Sequence, residues 1–77
     1  MMTIEKRKKF NRIKLVLVEK EKSSQWLATE LGLSATAVSK WCTNRNQPTV
    51  QTLFKIAELL QVEVSQLLVT STDDQSF

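Results

Sequence analysis

The chain has no histidine, one cysteine, one glycine and one proline among 77 residues. Each shortage excludes something. A lone thiol, Cys42, cannot close a disulfide within the chain. Without histidine, nothing completes the usual ligand set of a protein-only zinc site, and no metal or other cofactor is expected. Catalysis has little to build on either. There is no metal-ligand cluster and no glycine-rich phosphate loop, and a domain this small offers little pocket. No apolar run approaches the ~20 residues that span a bilayer. The basic N-terminus is not followed by an uninterrupted apolar stretch or a small-residue cleavage site, so no secretory signal is expected. A cytoplasmic protein without membrane contact is the expectation, and the length allows one domain with a modest core.

What is there is ordinary in total and uneven along the chain. Hydrophobic residues make up 42% and charged residues 25%, an unexceptional soluble composition. Residues 1–22 hold eight Lys or Arg against Glu5, Glu19 and Glu21, whereas residues 61–77 hold only Glu63, Asp73 and Asp74. A basic front and an acidic tail suit a polyanion met by one side of the molecule. Alone, such a cluster fits a solvated helix end better, so the case needs more.

The scarcity of breakers leaves long stretches free to be helical. Helix one is expected from Glu5 or Lys8 to Glu21, with Phe10, Ile13, Val16, Leu17 and Lys20 along one face. The run Leu15 to Val18 is apolar all round one turn. A short strand would also accommodate it, but the charged flanks favour helix. Leu15 and Val18 are then surplus, to be covered by the N-terminal segment or by a partner. Helix two is expected from Ser24 to Leu31, with Ser23 as its N-cap and Gly32 at its left-handed end. Leu27, Ala28 and Leu31 form its buried stripe. Helix three follows Ser34, a second cap, and runs to about Cys42 or Thr43. Pro48 and the Thr49 cap introduce helix four, Val50 to Leu60, with Leu53, Ile56, Ala57 and Leu60 on one face. Val64 to Val69 suggests a short fifth helix. Residues 1–9 read as a basic leader, 10–69 as the domain and 70–77 as a polar tail expected to be disordered.

The stretch "SATAVSKWCTNRN", residues 34–46, is the informative one. Val38 and Trp41 share a side and dock helix three on the core. The other side carries Ala35, Thr36, Ser39 and Lys40, small and polar with one cation. Such a helix fits the DNA major groove, about 12 Å wide. No acidic residue occurs from Leu31 to Ala57, where a carboxylate would repel phosphate. Thr43, Asn44, Arg45, Asn46 and Gln47 then form a donor-rich loop suited to phosphate oxygens. Asn44 is also placed to adopt the left-handed end of helix three.

These residues carry a resemblance. Leu27–Ala28, Gly32, "VSKW" (Val38 to Trp41), Pro48, "LFKIAELL" (Leu53 to Leu60) and "VEVSQLL" resemble, in order and interval, the Cro/repressor or XRE-type helix-turn-helix family over about residues 13–68. The resemblance implies an all-α, five-helix, lambda-repressor-like domain whose helices two and three form the helix-turn-helix. It implies sequence-specific binding of double-stranded DNA by a transcription regulator, in particular a repressor. Bases would be read by Ala35, Thr36, Ser39 and Lys40. Backbone contacts would come from Ser24, Ser34, Thr43, Asn44, Arg45 and Asn46. Arg45 or Asn46 could alternatively reach a minor-groove edge. A homodimer on a palindromic operator is implied, with Val64, Leu67 and Leu68 as its interface. The sequence departs from the family habit at Ser24, where glutamine is common, at Asn44, where glycine is usual, and at Gln61 and Glu63. The competing class is an antitoxin-like interaction module with a protein partner, suggested by Leu15, Val18 and Trp26. For Trp26, core packing is the more ordinary role, and for Cys42 that of a partly buried filler.

Overall fold

The computed structural model describes residues 9–69. Four α-helices follow in order: α1 (Ile13–Glu19), α2 (Ser24–Leu31), α3 (Ala35–Cys42) and α4 (Val50–Leu60), then a 3-10 turn over Val64–Leu67. The expected fifth α-helix is thus a single 3-10 turn. Among the described residues, no helix is long and apolar enough to cross a membrane.

The three middle helices start and stop on local chemistry. Ser23, Ser34 and Thr49 each accept a hydrogen bond from the backbone N–H three residues on, at Trp26, Ala37 and Thr52. Each satisfies one donor that a helix start leaves without an intrahelical acceptor. Gly32 ends α2 at φ +72°, and the Leu33 N–H returns to the Ala28 carbonyl at 2.9 Å. Gln61 ends α4 in the same left-handed region, at φ +58°. Glu63 precedes the 3-10 turn, where its N–H donates to Gln66 Oε1 at 3.0 Å.

The two ends of the domain differ from expectation. The starts expected for helix one at Glu5 or Lys8 lie outside the described residues, and residues 9–12 are not helical. Asn11 is paired with Leu68 in an isolated antiparallel bridge, and α1 starts only at Ile13. Arg12 N–H donates to the Leu67 carbonyl at 2.8 Å, and Val69 N–H to the Phe10 carbonyl at 3.0 Å. Pairing with Leu68 and Val69 holds residues 10–12 out of the helical register. The same pairing stops the C-terminal helix after one turn. Phe10, expected on the α1 stripe, is exposed. At its far end α1 stops at Glu19 rather than Glu21, because Glu21 adopts φ +60° and the Lys22 N–H turns back to the Leu17 carbonyl.

The core joins all the elements. Ile13, Val16 and Leu17 of α1 meet Leu27 and Ala28 of α2, Val38 and Trp41 of α3, Ile56, Ala57 and Leu60 of α4, and Leu67. Leu31 and Leu53 are half-buried against it. α2 packs most extensively on α3, and the 3-10 turn seals α4. Trp26 is half-buried against the same core, with Lys22 Nζ 4.8 Å from its ring centroid. A cation over an indole face is an attractive contact. Trp26 therefore contributes to packing, with part of its surface still exposed.

Candidate nucleic-acid interface

The turn between α2 and α3 is three residues, Gly32 to Ser34, so the two helices cannot move independently. Val38, fully buried, and Trp41, nearly so, pin α3 to the core by one side. That fixes what the other side shows to solvent. Ala35, Thr36, Ser39 and Lys40 are all exposed, and with Thr43 and Arg45 they line one shallow, open depression. The four residues expected to face bases are therefore brought together on one surface. The Ser34 hydroxyl oxygen accepts from Ala37 N–H at 3.1 Å, which leaves its own hydrogen available outward.

The loop after α3 is more occupied than its composition suggests. Thr43 Oγ1 donates to the Ser39 carbonyl at 3.1 Å, so its hydrogen is used inside the molecule. The backbone N–H groups of Thr43 to Asn46 donate to carbonyls of Ser39, Trp41 and Lys40. What remains for a polyanion is side chain: Arg45 and Asn46, both exposed. Ser24 is half-buried at the start of α2. Among the described residues, no group of His, Cys, Asp and Glu is placed to hold a metal ion.

Asn44 takes the left-handed conformation expected of it, at φ +60°. Its side chain does something the sequence did not reveal. Asn44 Oδ1 accepts from the N–H groups of Phe10, at 2.9 Å, and Asn11, at 3.0 Å, while its Nδ2 donates to the Asn11 carbonyl at 3.1 Å. Asn11 in turn donates through Nδ2 to the Trp41 carbonyl at 3.0 Å and to Gln47 Oε1 at 2.7 Å. Its Oδ1 accepts from Ile13 N–H at 2.9 Å, opening α1. Asn11 is the buried polar residue of the described region, 3% exposed, and both ends of its amide are satisfied. Sequence reading missed Asn11, and it placed Gln47 in the donor-rich loop without its bond to Asn11. An asparagine just before the first residue of an apolar stripe is a helix-start signal, and here the basic run before it drew the helix too far back.

The expected dimer residues separate. Leu67 has no exposed surface and belongs to the core. It cannot also form an interface, because reaching a partner would empty the site that seals α4. Val64 is half-buried against the core, and Leu68 is exposed. Cys42 is half-buried. Burial raises its thiol pKa above the ordinary value, and the nearby Lys14 charge lowers it in part.

A family-level comparison matches the helix-turn-helix family over residues 13–67, from the start of α1 to the end of the 3-10 turn. The chain belongs to the XRE-type helix-turn-helix family. Among solved structures it is similar to a candidate DNA-binding protein from Bacteroides fragilis. The two are 48% identical, with a TM-score of 0.75, over 75% of this chain and 94% of that one. No curated protein matches the chain in sequence. In this helix-turn-helix domain, α2 and α3 are the motif, and the exposed face of α3 is its outward surface.

Proposed function

We propose that this helix-turn-helix domain is a sequence-specific DNA-binding transcription regulator, acting as a repressor, that reads the major groove with α3. The observation that carries the reading is the outward face of α3. Ala35, Thr36, Ser39 and Lys40 are exposed together, and that face carries no large apolar side chain and no carboxylate. Lys40 can donate to guanine O6 or N7. Thr36 and Ser39 can donate or accept. Ala35 and the Thr36 methyl can pack on a thymine methyl. Arg45 and Asn46 beside this face, with Ser34 and Ser24 at the two helix starts, serve phosphate oxygens. Thr43 and Asn44 act mainly by holding the loop in place. No catalytic step is assigned to the chain.

A symmetric dimer is part of the proposal. Two α3 helices would then enter half-sites about one helical turn, ~34 Å, apart on a palindromic operator. With Leu67 in the core, Leu68 and the exposed part of Val64 are the candidates for the contact. The deciding experiment is selection of bound sequences from a random duplex library at physiological salt. A palindromic consensus that disappears with Ser39→Ala and Lys40→Ala is expected. The absence of any enrichment would overturn sequence-specific reading.

A second reading, an antitoxin-like interaction module, is favoured by one observation. Leu15 and Val18 lie one helical turn apart on α1 and are 49% and 58% exposed. Salt separates the two readings. Phosphate-dominated binding weakens steeply between about 50 and 200 mM salt, and apolar partner binding does not.

A further inference from the structure

The loop that leaves α3 carries two of the exposed residues placed against DNA, Arg45 and Asn46, and runs between two buried anchors, Trp41 and Pro48. Its own backbone holds it locally. The Arg45 and Asn46 N–H groups donate to the Lys40 carbonyl at 2.8 and 3.2 Å. A tie to a distant part of the chain comes from Asn11, which makes four hydrogen bonds to residues 41–47. Its backbone N–H and carbonyl pair with the Asn44 side chain. Its Nδ2 donates to the Trp41 carbonyl and to Gln47 Oε1. A helix leaves its last carbonyls without intrahelical donors, and here a side chain 30 residues upstream supplies one to Trp41. The neighbours dictate how the amide is turned. Only its nitrogen can face the Trp41 carbonyl, and only its oxygen can face the Ile13 N–H.

We infer that Asn11 is a positioning residue for the DNA interface: its buried amide fixes the loop that leaves α3, and so sets where the Arg45 cation stands. The inference rests on the DNA-binding reading above. Asn11 is uncharged and 3% exposed, so it can neither meet a phosphate nor release a counterion itself. Any effect it has on the salt dependence of binding must pass through a residue that it positions. The reading face is held differently, because Val38 and Trp41 pin α3 to the core. Base reading by Ala35, Thr36, Ser39 and Lys40 is therefore largely independent of the amide, and backbone contact from the loop is not. A loop already held in place has less freedom to lose when it binds, which favours binding. Asn11 thus acts on affinity for the backbone rather than on the choice of base.

The test uses Asn11→Ser. Serine can still accept from the Ile13 N–H, as it does in turns of this kind, but it has no amide to reach Trp41 or Gln47. Ile56→Val, which trims the core on α4 and leaves this hydrogen-bonded network intact, is the control for lost stability. Hydrogen exchange is measured first, without DNA. In Asn11→Ser the Arg45 and Asn46 amides should exchange about tenfold faster relative to those of α2, the scale of a buried hydrogen bond left unmade. In Ile56→Val the two groups should change together. Binding is then measured across a salt series on two labelled duplexes, one random and one carrying the selected sequence. Asn11→Ser should lose up to about 0.9 in salt slope on both, the worth of one phosphate contact, with base preference unchanged. Arg45→Ala should cost less in the Asn11→Ser background than in wild type. Ile56→Val should keep the wild-type slope. Unaltered relative exchange at Arg45 and Asn46 overturns the inference. So does an unaltered salt slope in Asn11→Ser, and so do losses at the two positions that simply add. Wild-type protein that binds neither duplex is the separate failure of the DNA reading, and the positioning role falls with it.

Discussion

α3 and α4 are both short amphipathic helices that bury one side in the same core, and their outer sides are opposites. α4 exposes Val50 and Phe54, four residues apart, at 68% and 58%. α3 exposes Ala35, Thr36, Ser39 and Lys40. Isolated exposed apolar groups are common on protein surfaces and mean little by themselves. Their absence from α3 is the informative side of the comparison. In the proposed reading α3 enters a groove lined by phosphates, where a bulky apolar group or a negative charge facing outward is unfavourable, and α4 is under no such constraint.

The comparison can be broken at several points, and the largest effect is expected beneath α4. Leu67 seals its inner side, so Leu67→Ala should cost about 2–5 kcal/mol in a urea titration. Leu68→Ala next to it should cost under about 1 kcal/mol, and Leu68→Asp should lower dimer content in sedimentation while the domain stays folded. Equal stability losses at both positions would erase the distinction between core and surface there. Next, Ser39→Glu should bring a carboxylate against phosphate and weaken DNA binding by about 3 kcal/mol, a like-charge cost of several kcal/mol being typical of interfaces. Phe54→Glu on α4 should change the affinity far less, and circular dichroism should be unchanged in both. Comparable losses would mean that α4 faces the DNA as well.

Smaller effects sharpen the picture of α3. Lys40→Ala should cost about 1–3 kcal/mol on the selected operator and relax preference at one base pair. Retained specificity would take Lys40 out of the reading set. Arg45→Ala should weaken all sequences alike and flatten the salt slope by about 0.9. An unaltered slope would deny Arg45 a phosphate contact. The slightest effect concerns the thiol. Because burial raises the Cys42 pKa, its alkylation at neutral pH should be slower than that of free cysteine, with a midpoint displaced to higher pH. Lys14→Gln should displace it further. The sign for stability follows: the folded state binds this proton more tightly, so its contribution is present below the unfolded pKa and declines as pH rises through the folded one. Fast reaction at neutral pH would contradict the burial.

The sequence by itself determined where α2, α3 and α4 start, and where α2 and α4 end, with the end of α3 left between Cys42 and Thr43. Their starts at Ser23, Ser34 and Thr49 are hydrogen bonds to a group three positions away, and the end of α2 is a glycine adopting a backbone conformation that other residues resist. Chemistry confined to one helical turn is readable from one helical turn of sequence. The polar face of α3 was readable for the same reason, because helical period alone puts Ala35, Thr36, Ser39 and Lys40 away from Val38 and Trp41. Only the tertiary structure decided where α1 begins, why the fifth element is a 3-10 turn, and what Asn44 does. Those depend on Asn11 meeting Leu68 and on Asn44 meeting residues 33 and 34 positions earlier. No local pattern encodes a hydrogen bond between partners that distant. It forms because the packed core brings both ends of the domain to the end of α3, where buried polar groups must find acceptors and donors in each other.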